Sequence, residues 1–217
     1  MTLLSPEQFI GFFSASLLIT LTPGPDNLMV LSLGASRGRA QGMAFGLGCA
    51  MGCLSHTLLA AVGISALIAA SAWGFTALKV AGGSYLVFLG VQVWRSTFKA
   101  ASTKSDRPVD GAMTGSASPR MLFAQGLVAN AINPKVVMFF LAFLPQFVVP
   151  SQGDAPWQIV QLGVVFTVQA AVLFGLLGYF SGAIGQWMAR NGQAGIWLDR
   201  VAGTVLAGLG LRLIISR

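Results

Sequence analysis

Thr22-Pro23-Gly24-Pro25-Asp26-Asn27 interrupts an apolar run that extends from Phe9 to Leu33. Prolines cannot sustain a helical ladder, because the ring clashes with the preceding turn and the nitrogen carries no proton. The run is nevertheless long enough to cross a hydrocarbon core of about 30 Å, which takes about 20 residues. A carboxylate at that depth costs at least about 2.5 kcal/mol, so Asp26 is a functional candidate. Backbone groups freed at the break must be met by protein, water or ligand. A second interruption, Asn133-Pro134-Lys135, falls inside the run Met121–Val149. Pro23 stands 14 residues after Phe9 and Pro134 stands 13 after Met121, so the two breaks lie at similar depths.

The rest of the chain agrees with a membrane setting. Hydrophobic residues make up 55% and charged residues 9%, against about 25% charged in a soluble domain. Mean hydropathy is +0.75. Six spans are expected, over Phe9–Leu33, Gly42–Ala70, Phe75–Ser96, Met121–Val149, Trp157–Trp187 and Trp197–Ile215. Trp73 and Trp94 flank the third and are about 31 Å apart along a helix, which suits two headgroup layers. The polar stretch from Phe98 to Arg120 is too short and featureless for a core and reads as a linker. The expected organisation is therefore a three-helix unit over 1–97, a polar cytoplasmic linker over 98–120 and a second three-helix unit over 121–217.

The net charge of +7 reflects basic loops rather than a nucleic-acid surface, and no nucleic-acid partner is expected. Arg37, Arg39, Arg95, Lys99, Lys104, Arg107, Arg120, Arg190 and Arg200 follow spans one, three and five, whereas the opposite ends hold Lys79, Arg212 and Arg217. The positive-inside rule then places both termini outside the cytoplasm. The N-terminus lacks the basic n-region of a signal peptide, so the first run is expected to be retained.

The two halves repeat. Lys79-Val80-Ala81-Gly82 matches Arg200-Val201-Ala202-Gly203, and each is followed by Leu-x-x-Leu-Gly, at Leu86–Gly90 and Leu206–Gly210. A unit of three spans re-enters the membrane from the opposite face when it is repeated. The fold class is thus an all-α membrane protein with a 3+3 inverted-topology repeat and broken first and fourth helices. Paired broken helices in such folds point to a midplane binding site, as in secondary transporters.

Asp26 is a candidate for a substrate ammonium, for a proton, or for each in turn; the alternative is an N-cap of the second half-helix. Asn27, Asn130 and Asn133 add amide donors and acceptors at the same level, with Pro23, Pro25 and Pro134 shaping the breaks. Lys135 is the positive counterpart. It is placed to pair with Asp26, to bind a substrate carboxylate beside a half-helix N-terminus, or to extend to an interface. His56 is a candidate proton relay, with an interhelical hydrogen bond as the plainer role. Lys79 and Arg200 head corresponding helices and serve either in gating or as interfacial anchors. Cys49, Cys53 and His56 share one helix face, which does not make a metal site, and no metal is expected. Gly42–Gly46, Gly48–Gly52 and Gly178–Gly182 have the spacing of close helix packing. Gln125, Gln161 and Gln169 stand isolated and receive no role. The sequence contains no nucleophile–base constellation and no phosphate-binding loop. An enzyme and a cofactor are therefore not expected, and uphill transport would run on an ion gradient.

TPGPDN (Thr22–Asn27), the glycine-rich second span, Lys79 with SYLVFLG (Ser84–Gly90), NPKVVMFFLAFLPQF (Asn133–Phe147) and RVAGTVLAGLGLRL (Arg200–Leu213) together resemble the LysE/RhtB family of bacterial amino-acid exporters over nearly the whole chain. The resemblance implies efflux of amino acids or close derivatives across the bacterial inner membrane. It also implies coupling to the proton-motive force by antiport, and a homodimer. The family's aspartate and prolines of the first break fall on Asp26, Pro23 and Pro25, and the second break falls on Asn133, Pro134 and Lys135. The alternative is transport of a metal cation or other small ion on a related scaffold. A thiol–disulfide electron carrier would want a cysteine in each half, and both lie in span two.

Overall fold

The computed structural model describes residues 3–70, 72–100 and 117–215. The middle of the linker, and with it Lys104 and Arg107, lies outside the described residues. Among the described residues nine α-helices follow one another: α1 (Pro6–Leu21), α2 (Pro25–Arg37), α3 (Arg39–Ala70), α4 (Ala72–Ala100), α5 (Pro119–Ala131), α6 (Pro134–Met138), α7 (Ala155–Tyr179), α8 (Ser181–Arg190) and α9 (Gly192–Ile215). Helix reaches into both ends of the stretch expected to be linker, since α4 runs to Ala100 and α5 starts at Pro119.

The first helix of each half opens on the same local device. Ser5 caps α1 with Pro6 at its first position, and Gln8 reaches back to the Ser5 amide to complete a capping box. Ser118 caps α5 with Pro119 at its first position. Both helices then stop where the sequence breaks them. α1 ends at Leu21 and the chain resumes as α2 at Pro25, so Pro25 rather than Pro23 holds the position that Pro134 holds in α6. The chain bends by 48° between α5 and the segment Pro134–Phe147. Pro145 brings a further irregularity, because it offers no N–H to the ladder. Phe139–Phe143 is a π-helical turn, closed by the bond from Leu144 N–H to the Phe139 carbonyl, and Leu144–Phe147 is 3-10.

Among the described residues, Arg39–Gly63, Thr76–Arg95 and Ala155–Tyr179 are each long and apolar enough to cross a membrane alone, and the bent pair through Asn133 is so when its two helices are taken together. The span expected over Trp157–Trp187 breaks at Phe180, where α7 gives way to α8. Exposed Leu58, Leu59, Val62, Phe88, Val168, Val172 and Leu176 give the outside the apolar character that a lipid environment requires.

Inside, α3 packs along α5 and α7, and α4 packs along α9. Glycine permits the closest crossings. A Cβ on Gly48 would overlap the Phe123 carbonyl, and one on Gly126 would overlap the Phe45 carbonyl. On the other pair, Gly83 meets the Gly210 carbonyl and Gly203 meets the Gly90 carbonyl, each 2.7 Å from a built Cβ. The buried positions Gly82, Gly83, Leu86 and Gly90 of α4 recur in α9 as Ala202, Gly203, Leu206 and Gly210, each 120 positions later. The sequence match between those helices is therefore matched by the faces they bury.

Candidate transport site

The two breaks meet at one cavity, lined by Ile19, Thr20, Asp26, Asn27, Cys53, Asn130, Lys135, Val136, Phe139, Phe166 and Phe174. Its volume is about 20 Å³, room for about one water molecule. A solute much larger than water does not fit it as it stands.

Asp26 sits in the first turn of α2, where the helix dipole favours a negative charge. It is 4% exposed. Its Oδ2 accepts a 2.8 Å hydrogen bond from Asn130 Nδ2, at the C-terminal turn of α5. Asn130 is a junction: its side-chain oxygen accepts from the Cys53 thiol at 3.4 Å and its carbonyl lies 3.0 Å from His56 Nε2. Asn27 Nδ2 donates to the Thr20 carbonyl at 2.9 Å, which fixes the orientation of its amide, and its Oδ1 is buried without a hydrogen-bond partner. Thr20 Oγ1 donates to the Ser16 carbonyl and accepts from Gln169 Nε2 at 2.7 Å.

Lys135 answers Asp26 from the other break. It occupies the second position of α6, as Asp26 does in α2. A cation is disfavoured at a helix N-terminus, and the side chain leaves it. Its Nζ donates to the carbonyls of Ile19 at 3.2 Å and Thr22 at 2.9 Å, at the C-terminal end of α1. There the carbonyls left over by the end of α1 welcome a positive charge. Gly24 makes room, since a Cβ there would lie 2.9 Å from Lys135 Nζ. Of the roles open to Lys135, the structure therefore shows a bond to carbonyls. Among the described residues no ion pair joins it to Asp26. Asn133 caps α6, its Oδ1 accepting from the Lys135 N–H, while its Nδ2 is buried without a partner.

Pro23 lies in the unwound segment, and Pro25 and Pro134 open the two resuming half-helices. His56 stands one layer back from the cavity, behind Asn130 and 5.6 Å from the Phe140 ring. Lys79 and Arg200 are not among the lining residues. Arg200 stacks on Trp94 at 5.6 Å, in the α4–α9 pair. Among the described residues no three His, Cys, Asp or Glu side chains gather as metal ligands. Thr20, Phe139, Phe166 and Phe174 also line the cavity and are not marked by the sequence motifs. Apolar and hydroxyl residues inside a membrane helix carry no signal until a neighbouring break is known to face them. Gln169, left without a role by those motifs, orients Thr20.

A bundle of apolar helices closed around a small charged cavity defines a multi-pass membrane protein. The chain belongs to the LysE type translocator family, whose model matches residues 17–217. It is thus a multi-pass inner-membrane protein from a family of translocators. It is 31% identical over 216 residues to a threonine efflux protein of Escherichia coli K12, covering 96% of this chain and 98% of that one. It is 26% identical to a homoserine/homoserine lactone efflux protein of Salmonella typhimurium, covering 97% and 98%. An uncharacterized membrane protein of Vibrio cholerae is 28% identical, covering 96% and 97%. No solved structure matches.

Proposed function

We propose that this protein exports amino acids from the cytoplasm by proton antiport, through a site built where its two broken helices cross. One observation carries the reading: one carboxylate, Asp26, and one ammonium, Lys135, line the same small cavity. A zwitterion presents both complements. Its ammonium goes to Asp26 and the unpartnered Asn27 Oδ1, and its carboxylate to Lys135. Its side chain faces Ile19, Val136 and the three phenylalanines. With Asp26 and Lys135 engaged by the substrate's own ammonium and carboxylate, a charged side chain would meet no further opposite charge among the lining residues and would be disfavoured so far from water. A proton arriving from outside neutralises Asp26, releases the ammonium and resets the site. The efflux relatives support the substrate class.

The reading includes six crossings in a 3+3 inverted repeat. Three features support it: the opposed charges at equivalent positions of the two breaks, the shared Ser-Pro starts of α1 and α5, and the reciprocal glycine contacts of α4 with α9. The end bearing Arg37, Arg39, Arg95, Arg120 and Arg190 then faces the cytoplasm. The site lies within one chain, so the homodimer implied by the resemblance is not needed to complete it. Inverted vesicles containing the protein, given a proton gradient, test the proposal with a labelled amino-acid panel. Gradient-driven uptake of neutral amino acids is the expected result. Failure to take up any of the panel, from folded protein, would end the reading.

A further inference from the structure

On the N-terminal side of the cavity the protein carries a second buried polar cluster, and it is of a different kind. Gln8 is 7% exposed and Gln158 is 3% exposed. Gln8 Nε2 donates to the Phe147 carbonyl at 2.8 Å and to Gln158 Oε1 at 2.9 Å. Gln158 Oε1 also accepts from the Val149 N–H at 2.9 Å, and its Nε2 donates to the Val149 carbonyl at 3.0 Å. Two amides thus tie the start of α1 and the start of α7 to the end of the broken fourth helix.

A column of rings runs from this clasp to the site. Phe147 packs edge-on against Phe12 with centroids 5.3 Å apart, and lies 5.5 Å from Phe143. Phe143 stacks on Phe139 at 5.1 Å, and Phe139 lines the cavity. Phe12, Phe139 and Phe143 are 0–1% exposed. Phe139 and Phe143 bracket the π-helical turn. Such turns hold one residue more than an α-helical turn and occur often at functional sites.

We propose that Phe139–Phe143 is the gate between the cavity and the membrane face on which the N-terminus lies, and that Gln8 and Gln158 are its latch. The chemistry of the latch suits repeated opening. Apolar packing alone would seal the column, whereas buried amides cost free energy unless bonded. A neutral hydrogen bond contributes only about 0.5–1.5 kcal/mol net, because water replaces it on opening. The bonded carbonyls, of Phe147 and Val149, follow directly on the segment that must move, so releasing two side chains removes its polar tether to α1 and α7.

Cys53 supplies a reporter that needs no substrate, for it lines the cavity and is fully buried. Its labelling by a membrane-impermeant thiol reagent applied from the N-terminal side measures opening. Gln158→Leu should raise the labelling rate at least tenfold over the unaltered protein. Bridging the Gln8→Cys/Gln158→Cys variant with a reducible methanethiosulfonate cross-linker should block labelling, and reductant should restore it; the single-cysteine variants, treated alike, should not be blocked. Equal labelling rates in the unaltered, Gln158→Leu and bridged proteins, zero included, would overturn the gate. Amino-acid transport can fail its own test without touching this one, because no substrate is added.

Discussion

The two breaks solve the same problem with opposite charges. Each resumes its helix on a proline, and each places its charged residue at the second helical position. Asp26 finds its own helix end favourable and stays there, held by Asn130 from the other break. Lys135 finds its own helix end unfavourable and crosses to the carbonyls that close α1. The anion therefore keeps one strong partner and remains at the cavity. The cation also ties two half-helices together. From this asymmetry we expect Asp26 to matter for transport alone, and Lys135 for transport and folding together.

Asp26→Asn should have the largest effect on transport. The amide oxygen can still accept from Asn130, so folding is spared, but the ammonium loses its charge partner. Loss of such a contact is about 3 kcal/mol, roughly a hundredfold in apparent substrate affinity, read by substrate titration in vesicles. Lys135→Met comes next and separates the two breaks. It leaves the Ile19 and Thr22 carbonyls without their partner, at about 1–3 kcal/mol each. The melting temperature in detergent should fall by about 2–4 °C for each kcal/mol, whereas Asp26→Asn should leave it unmoved. Equal melting temperatures for the two variants would break the comparison. Asn130→Ala removes the donor that orients Asp26 and should raise the apparent KM about tenfold, close to 1.4 kcal/mol. Gly24→Ala is the mildest. Its Cβ presses on the flexible tip of Lys135, which can yield. A change of about 0.5–1 kcal/mol, two- to fivefold in affinity, is expected.

Much of this was readable in advance. Proline and charge inside apolar runs mark both breaks; of the residues named from them, Asp26, Asn27, Asn130 and Lys135 line one cavity, whereas Pro23, Pro25, Asn133 and Pro134 are not among its lining residues. The Lys79–Gly82 match to Arg200–Gly203 anticipated the equivalent faces of α4 and α9. The partners of Lys135 were not readable, because main-chain carbonyls have no letter in a sequence. Gln8 and Gln158 escaped for a related reason: they lie 150 positions apart and meet only through the fold. The α5 start at Pro119 is legible in principle, since Ser118-Pro119 is a capping signal, but the polar composition around it points to a linker. The break at Phe180 has no proline to announce it, and glycine is common on both sides of it.

The central claim is that Asp26 holds either a proton or the substrate ammonium and never both. It is tested most directly by proton release. A neutral amino acid that the vesicle panel shows to be carried is added to purified protein in weak buffer across a pH series, with a pH indicator present. The expected result is proton release on binding that approaches one per chain at the acid end of the series, and none from Asp26→Asn. Binding without proton release at any pH in the unaltered protein would contradict it.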